Sequence, residues 1–227
     1  MEDLKFNTNL PHIYNSCGIN ALFITLAHFN ASSTDELVNK MIEYCKVKRG
    51  VNETQRVSAN DPQSANDGIE LMKQFYEKFN IDHGYQNVRL LLKKIYNQLT
   101  FENAQVEIGD DYEKIDLNQK LILLDLEQTK SMVEYNKEKE DKINRLLTYK
   151  NEDFNNMSIL TFNDNMYIPC LYIVCLGGHY ITLVNTKYGL IIYNDLDQVR
   201  IIAQQKIKDV LLRLGNSVEF IGYLRGN

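Results

Sequence analysis

The apolar residues in the first hundred positions recur at helical spacing. Residues 17–30 predict a helix with one buried face, formed by Ile19, Leu22, Phe23, Leu26 and Ala27. Asn15 and Ser16 precede it and are residue types that cap helix N-termini. The same spacing predicts further helices over about 33–48, 68–79 and 85–99. The polar, aperiodic segment 49–67 predicts a long surface loop.

The pattern changes to short apolar runs separated by turn residues after about residue 104. We predict strands over 105–108, 120–126, 158–162, 167–176, 179–186, 190–194 and 218–224, and one helix over 203–214. Short strands joined by tight turns are typical of an antiparallel sheet. Residues 127–157 are charged and rich in asparagine, which is typical of a solvated helix and loop or of an insertion that contacts a partner.

This order of elements predicts an α+β protein, with an N-terminal helical part followed by a C-terminal antiparallel sheet. A chain of 227 residues is long enough to bury a substantial core. We expect a single domain over 1–227. It would combine a helical subdomain, about 1–104, with a sheet subdomain, about 105–227, that carries the charged segment 127–157 as a candidate insertion.

Composition excludes several classes of protein. The net charge of -5 argues against binding to a nucleic-acid backbone, which needs a basic surface. Four cysteines are too few for a disulfide scaffold and favour a reducing compartment. No apolar run approaches the roughly 18 residues of a membrane helix, and the first residues lack the apolar core of a secretory signal. We therefore expect a cytoplasmic monomer with no nucleic-acid or membrane partner.

Three positions combine into a possible catalytic arrangement. Cys17 opens the first helix, where the helix dipole favours a thiolate and backbone amides can bind an oxyanion. His179 follows Gly177 and Gly178 and begins a strand. Asn194 and Asp195 end the next strand, so a hairpin would bring Asn194 close to His179 and let it orient the imidazole.

Each of these residues also has an ordinary structural explanation. A lone cysteine that opens an apolar helix is commonly a small core residue. A histidine at a sheet edge can be a surface residue, and an Asn-Asp pair is a common turn. The three together nevertheless form a working Cys-His-Asn arrangement of nucleophile, base and orienting amide.

The motifs around these residues resemble those of the ubiquitin-specific proteases, a papain-like family. Residues 15–22 read N-S-C-G-I-N-A-L and are similar to the family's cysteine box, N-T-C-Y-M-N-S-L. The sequence G-H-Y at 178–180 resembles the histidine box. Tyr193-Asn194-Asp195 with Val199 resembles the aromatic-[D/N]-D-x-x-V segment. The resemblance covers about 15 N-terminal residues and the last 60 or so.

This resemblance implies a papain-like fold with Cys17 as nucleophile, His179 as general base and Asn194 as third triad member, beside Asp195. It also implies that Gly177, Gly178 and Tyr180 border a channel for a Gly-Gly tail. The chain departs from the family at His12, where an oxyanion-binding asparagine is usual, so His12 and Asn15 are the candidate donors together with the Cys17 amide. Gly18 replaces an aromatic residue, and the zinc-binding C-x-x-C pairs are absent.

We therefore expect a deubiquitinase that needs no metal or cofactor and whose partner is ubiquitin or a ubiquitin-like protein. The acidic chain suits the basic tail of ubiquitin. A viral or pathogen origin would place it in the host cytoplasm. The spacing is also compatible with other papain-like groups, including Josephin-type deubiquitinases. One alternative is a papain-like protease or acyltransferase with a non-ubiquitin substrate, of the viral or pathogen-effector type. A second alternative is a catalytically inactive module that binds ubiquitin-like proteins.

The remaining cysteines and histidines have ordinary structural explanations. We expect Cys45, Cys170 and Cys175 to be structural, His28 to be partly buried or on the surface, and His83 to lie in a turn.

Overall fold

The chain divides into two compact units of mixed helix and strand. The first contains residues 1–102, 178–181 and 193–199, and the second contains 103–177, 182–192 and 200–227. The computed structural model describes residues 5–6, 15–47, 62–82, 86–102, 104–106, 120–125, 160–162, 165–186, 189–196, 200–202 and 217–225, with positions 206, 210, 213 and 214. The mixture of helices and antiparallel strands is compatible with the predicted α+β class.

The first unit holds four described helices and two small antiparallel ladders. The helices are α1 (Cys17–His28), α2 (Glu36–Cys45), α3 (Pro62–Lys78) and α4 (Val88–Ile95), the last followed by a 3-10 turn over Tyr96–Gln98. The ladders pair β1 (Lys5–Phe6) with β3 (Lys46–Val47) and β2 (Ala31–Ser33) with β4 (Leu99–Phe101).

Helix α1 is buried on every side, whereas the sequence predicted one buried face. All twelve of its residues are buried, including the polar Asn20, Thr25 and His28. Thr25 tolerates this position because its hydroxyl donates a 2.8 Å hydrogen bond to the Ala21 carbonyl. Burial of α1 therefore extends beyond the one face that was predicted, and the prediction that His28 is partly buried or on the surface is wrong.

Helix α2 begins three residues later than the predicted start at Ser33. The Ser33 backbone belongs to the ladder with β4, and its hydroxyl donates a 3.1 Å hydrogen bond to the Gln98 carbonyl. Asp35 caps the helix instead, because its Oδ1 accepts from the backbone N–H groups of Leu37 and Val38 at 3.0 and 3.2 Å.

Helix α3 starts inside the segment predicted to be a surface loop. Pro62 opens it, a position where the missing backbone N–H costs nothing. The loop prediction is thus wrong for residues 62–67, and residues 49–61 lie outside the described part of the chain. Helix α4 is shorter than the predicted 85–99, because Asn87 caps its start with a 2.9 Å hydrogen bond from the Arg89 N–H and Leu99 enters β4.

The remaining strands form one sheet. They are β5 (Ala104–Val106), β6 (Leu121–Asp125), β7 (Leu160–Phe162), β8 (Asn165–Leu176), β9 (His179–Thr186), β10 (Gly189–Tyr193), β11 (Arg200–Ile202) and β12 (Val218–Arg225). Their spatial order is β11-β10-β9-β8-β12-β6-β5, with β7 beside β8. The predicted strand 179–186 is confirmed at both ends. The other predicted strands are confirmed where they are described, with ends that differ by one or two residues, and positions 107–108, 126 and 158–159 lie outside the described residues.

Strand β12 lies in the middle of this sheet, antiparallel to both β8 and β6. Four consecutive residues from Phe220 to Tyr223 are buried, as expected for a strand covered on both faces. One pair departs from the predicted antiparallel sheet, because β5 and β6 run parallel.

Two predicted segments are described only in part or not at all. Of the predicted helix 203–214, the four described positions are helical, and the rest lies outside the described residues. The charged segment 127–157 also lies outside them.

None of the helices in the described ranges has the length and apolar character that crossing a membrane would require.

Candidate active site

The start of α1 presents Cys17 at the edge of a buried helix. Asn15 adopts a left-handed backbone conformation, φ +61°, which asparagine tolerates better than most residues. The first helical hydrogen bond follows, from the Asn20 N–H to the Ser16 carbonyl at 3.0 Å. Cys17 begins the helix and is only 7% exposed, so little of the residue is open to a reagent.

The environment of the Cys17 thiol combines opposing effects on its pKa. Burial is the largest and raises the pKa above its ordinary value, and the charge of Asp195 acts in the same direction. The backbone N–H groups of Tyr180, Gly18 and Cys17 lower it, because they hydrogen-bond the thiolate. The helix start was expected to favour a thiolate; the amides do lower the pKa, but burial outweighs them and the net shift is upward. The resting thiol is protonated and needs a base to become a nucleophile.

His179 is placed by a tight turn. Gly177 and Gly178 both have positive φ, +58° and +87°, a region that glycine enters without steric cost. His179 then begins β9, and its side chain is 25% exposed. The next residue, Tyr180, supplies the backbone N–H that hydrogen-bonds the Cys17 thiol. Cys17, the candidate nucleophile, therefore contacts the backbone of the residue that directly follows His179, the candidate base.

Asn194 fixes the tautomer of the His179 ring. Its Oδ1 lies 2.8 Å from His179 Nε2 and also accepts a 3.1 Å hydrogen bond from the Leu196 N–H. Because a backbone N–H can only donate, the atom facing it must be the amide oxygen and not the amide nitrogen. His179 Nε2 therefore carries the proton and donates a hydrogen bond to Asn194 Oδ1. In the neutral ring, Nδ1 is then the nitrogen with a free lone pair.

Asp195 places a buried negative charge beside the same ring edge. Its side chain is fully buried, and its Oδ1 lies 3.6 Å from His179 Nε2. That separation is too long for a hydrogen bond but short enough for strong attraction to an imidazolium. The other carboxylate oxygen, Oδ2, accepts a 3.3 Å hydrogen bond from the Ser16 hydroxyl. Asn194 thus orients the ring, while Asp195 supplies charge.

The predicted tail-channel residues differ in their exposure. Gly177 and Gly178 are exposed, whereas the Tyr180 side chain is only 1% exposed. The described contact of Tyr180 with Cys17 is made by its backbone and not by its ring. Ser16, Cys17, Gly178, Tyr180 and the pair 194–195 all belong to the first compact unit. The role of Gly177, Gly178 and Tyr180 in holding a Gly-Gly tail stays a prediction.

The candidate oxyanion donors are only partly described. His12 lies outside the described residues, and Asn15 is half-buried directly before the helix. The backbone N–H groups of Cys17 and Gly18 act on the thiol in the direction that lowers its pKa, although burial raises the pKa overall. A Cβ atom added to Gly18 would overlap the Gln86 carbonyl, which explains why the usual aromatic residue has no room here.

Two buried side chains at the site have no sequence signal of their own. Burial, together with the charges of Cys17 and Asp195, raises the pKa of Tyr76 to about 12. Tyr76 lies on α3, where its apolar spacing is that of any core tyrosine. Ser16 was predicted to cap α1, yet its side chain makes no capping hydrogen bond and contacts Asp195 instead.

The other three cysteines have different environments from Cys17. All four are free thiols. Burial raises the pKa of Cys45 far above the ordinary range and that of Cys170 to about 12, which keeps both thiols protonated. Cys170 donates a 3.4 Å hydrogen bond to the Gly222 carbonyl, and Cys175 is half-buried on β8. His83 lies outside the described residues.

Within the described ranges, no three histidine, cysteine, aspartate or glutamate side chains converge as ligands for a metal ion. No protein-family model matches this chain, and no curated protein matches it either. Function must therefore be inferred from the geometry around Cys17 and from the motifs that surround it.

Proposed function

We propose that this protein is a papain-like cysteine protease that hydrolyses the bond after the Gly-Gly terminus of ubiquitin or a ubiquitin-like protein. The observation that carries the proposal is the 2.8 Å hydrogen bond from His179 Nε2 to Asn194 Oδ1. It leaves Nδ1 as the free base of a ring that directly precedes Tyr180, whose N–H contacts the Cys17 thiol. Cys17, His179 and Asn194 all belong to one compact unit, which supports their roles as nucleophile, base and orienting amide.

In the proposed reaction, His179 Nδ1 is the base that takes the Cys17 proton. Transfer creates a thiolate and an imidazolium. The Asp195 carboxylate repels the thiolate, as the raised pKa of Cys17 records, but it attracts the imidazolium from 3.6 Å. The amides of Tyr180 and Gly18 stabilise the thiolate at the same time. The imidazolium that forms therefore faces the Asp195 carboxylate, while the thiolate is stabilised by the amides and opposed by burial and by Asp195.

Catalysis then follows the chemistry of a thiol nucleophile. The Cys17 Sγ attacks the carbonyl carbon of the terminal glycine, and the C=O electron pair moves to oxygen, near the amides of Cys17 and Gly18. The tetrahedral intermediate collapses as the C–N bond breaks, and His179 gives its Nδ1 proton to the leaving amine. A water molecule, deprotonated by His179, next attacks the thioester and releases the carboxylate and the Cys17 thiol.

The substrate class is supported by the sequence motifs. Residues 15–22 and 178–180 resemble the cysteine and histidine boxes of ubiquitin-specific proteases, which cleave after Gly-Gly. The exposed pair Gly177 and Gly178 directly before His179 has no side chains to obstruct a narrow tail. A cytoplasmic location, where a catalytic thiol stays reduced, accords with four cysteines that are all free.

The test is labelling by electrophilic probes. Wild-type protein is incubated with ubiquitin and related modifiers that carry a C-terminal electrophile, beside a small chloroacetamide. We expect one modifier probe to label the wild type and the matched control Cys175→Ala, but not Cys17→Ala. Chloroacetamide labelling of Cys17 without any modifier labelling would favour a protease or acyltransferase with another substrate. If folded protein reacts with none of the reagents at Cys17, the inactive binding module is the better description.

A further inference from the structure

Ser16 occupies the N-cap position of α1 but does not cap the helix. A capping serine normally has extended backbone angles and accepts a hydrogen bond from an amide in the first turn. Ser16 instead has helical angles, φ -80° and ψ -4°, and makes no side-chain capping bond. Its hydroxyl donates to Asp195 Oδ2 at 3.3 Å across 179 residues of sequence. This side chain therefore serves a distant contact in place of the local one.

The hydrogen bond between Ser16 and Asp195 is buried, so water cannot take the place of either partner. Ser16 has no exposed surface, and neither does the Asp195 side chain. A buried carboxylate is costly unless donors surround it, and a hydrogen bond to a charged group is worth more than one between neutral groups. With Oδ2 held by Ser16, the carboxylate plane is fixed so that Oδ1 faces His179 Nε2 at 3.6 Å.

We propose that Ser16 is a positioning residue of the active site, whose hydroxyl holds the Asp195 carboxylate against the His179 ring. The inference rests on the proposed function, in which Cys17 passes its proton to His179. Ser16 is also covalently adjacent to Cys17. One hydroxyl therefore links the helix that carries the nucleophile to the loop that stabilises the protonated base.

The test compares Ser16→Ala with Ser16→Thr, because threonine keeps the hydroxyl. The rate of Cys17 alkylation by chloroacetamide is measured for each at one neutral pH, with Cys175→Ala as background so that Cys17 is the reactive thiol observed. We expect Ser16→Ala to slow alkylation about tenfold, the effect of one lost hydrogen bond to a charged group. Ser16→Thr should stay within about twofold of the parent.

A double-mutant cycle separates positioning from a structural effect. In an Asp195→Asn background the charge is already absent, so adding Ser16→Ala should change the rate by less than about twofold. Urea unfolding of each variant shows that the compared proteins are folded. The proposal is overturned if Ser16→Ala slows alkylation equally in both backgrounds, if Ser16→Thr fails to rescue a folded protein, or if Ser16→Ala has no effect.

Chloroacetamide reacts with the Cys17 thiol directly, so the alkylation rates do not depend on which substrate the protein cleaves. If the Ser16 pattern is observed but no modifier probe reacts, the substrate class is wrong while Ser16 keeps its assignment. If the modifier probe reacts and the Ser16 pattern is absent, the proposed function stands without this residue. A wild-type Cys17 that resists chloroacetamide altogether contradicts both.

Discussion

His28 should make the fold sensitive to mild acid. It lies in the last turn of α1, where the helix dipole favours an imidazolium by about 0.3–1 kcal/mol, or up to about 2 kcal/mol when partly buried. Burial acts in the opposite direction and lowers its pKa from 6.5 to about 4. A shift of this size corresponds to about 3 kcal/mol, so burial outweighs the dipole and the folded protein holds the ring neutral.

The sign of the pH dependence follows from linkage. Above pH 6.5 the ring is neutral in both the folded and the unfolded chain, and His28 does not affect the pH dependence of stability. Below pH 6.5 the unfolded chain binds a proton that the folded chain rejects, so the free energy of unfolding falls. The loss should reach about 2 kcal/mol at pH 5 and level off at about 3 kcal/mol below pH 4.

The measurement is urea unfolding of wild type and His28→Gln between pH 7.5 and pH 5. Far-UV circular dichroism is a suitable probe because the chain has no tryptophan. Glutamine does not titrate, so the wild type should lose about 2 kcal/mol more than the variant over this range, whatever the variant costs at pH 7.5. Parallel loss of stability in the two proteins would refute the assignment of His28 as a buried neutral ring.

Substitutions at three further places test the described contacts. Asp35→Ala should lower the free energy of unfolding by about 1 kcal/mol, while Asp35→Asn should lower it less because asparagine also caps helices; equal losses would contradict the capping role. Gly18→Ala should destabilise by about 1–3 kcal/mol by driving a methyl group into the Gln86 carbonyl, and an unchanged urea midpoint would contradict that overlap. Asn194→Ala should slow probe labelling more than Asp195→Ala, and the reverse order would make the carboxylate the orienting group.

The boundaries that sequence failed to predict are those decided by distant partners. The run Ser33-Thr34-Asp35 offers three possible caps for α2, and nothing local distinguishes them. The choice is made by β4, whose Leu99 pairs with Ser33 and removes it from the helix. By contrast, β9 was predicted at both ends, because its glycine turn and its apolar run lie next to each other in the sequence.

The same division holds at the candidate site. His179 and Asn194 were expected to be neighbours because one hairpin separates them, and the structure places their side chains 2.8 Å apart. Ser16 and Tyr76 were not expected there, since a serine before a helix and a tyrosine on an amphipathic helix have common structural roles. The hydrogen bond of Ser16 and part of the raised pKa of Tyr76 both depend on Asp195, which lies near the other end of the chain.

The complete burial of α1 also has a consequence for dynamics. A helix with an exposed face can fray or open locally, but every residue of α1 from Cys17 to His28 is covered. Its amides should therefore be among the slowest in the first unit to exchange with deuterated solvent, and they should exchange through large-scale unfolding. The nucleophile candidate is thus held on a segment with little local freedom, so its reaction with a substrate should not require motion of the helix itself.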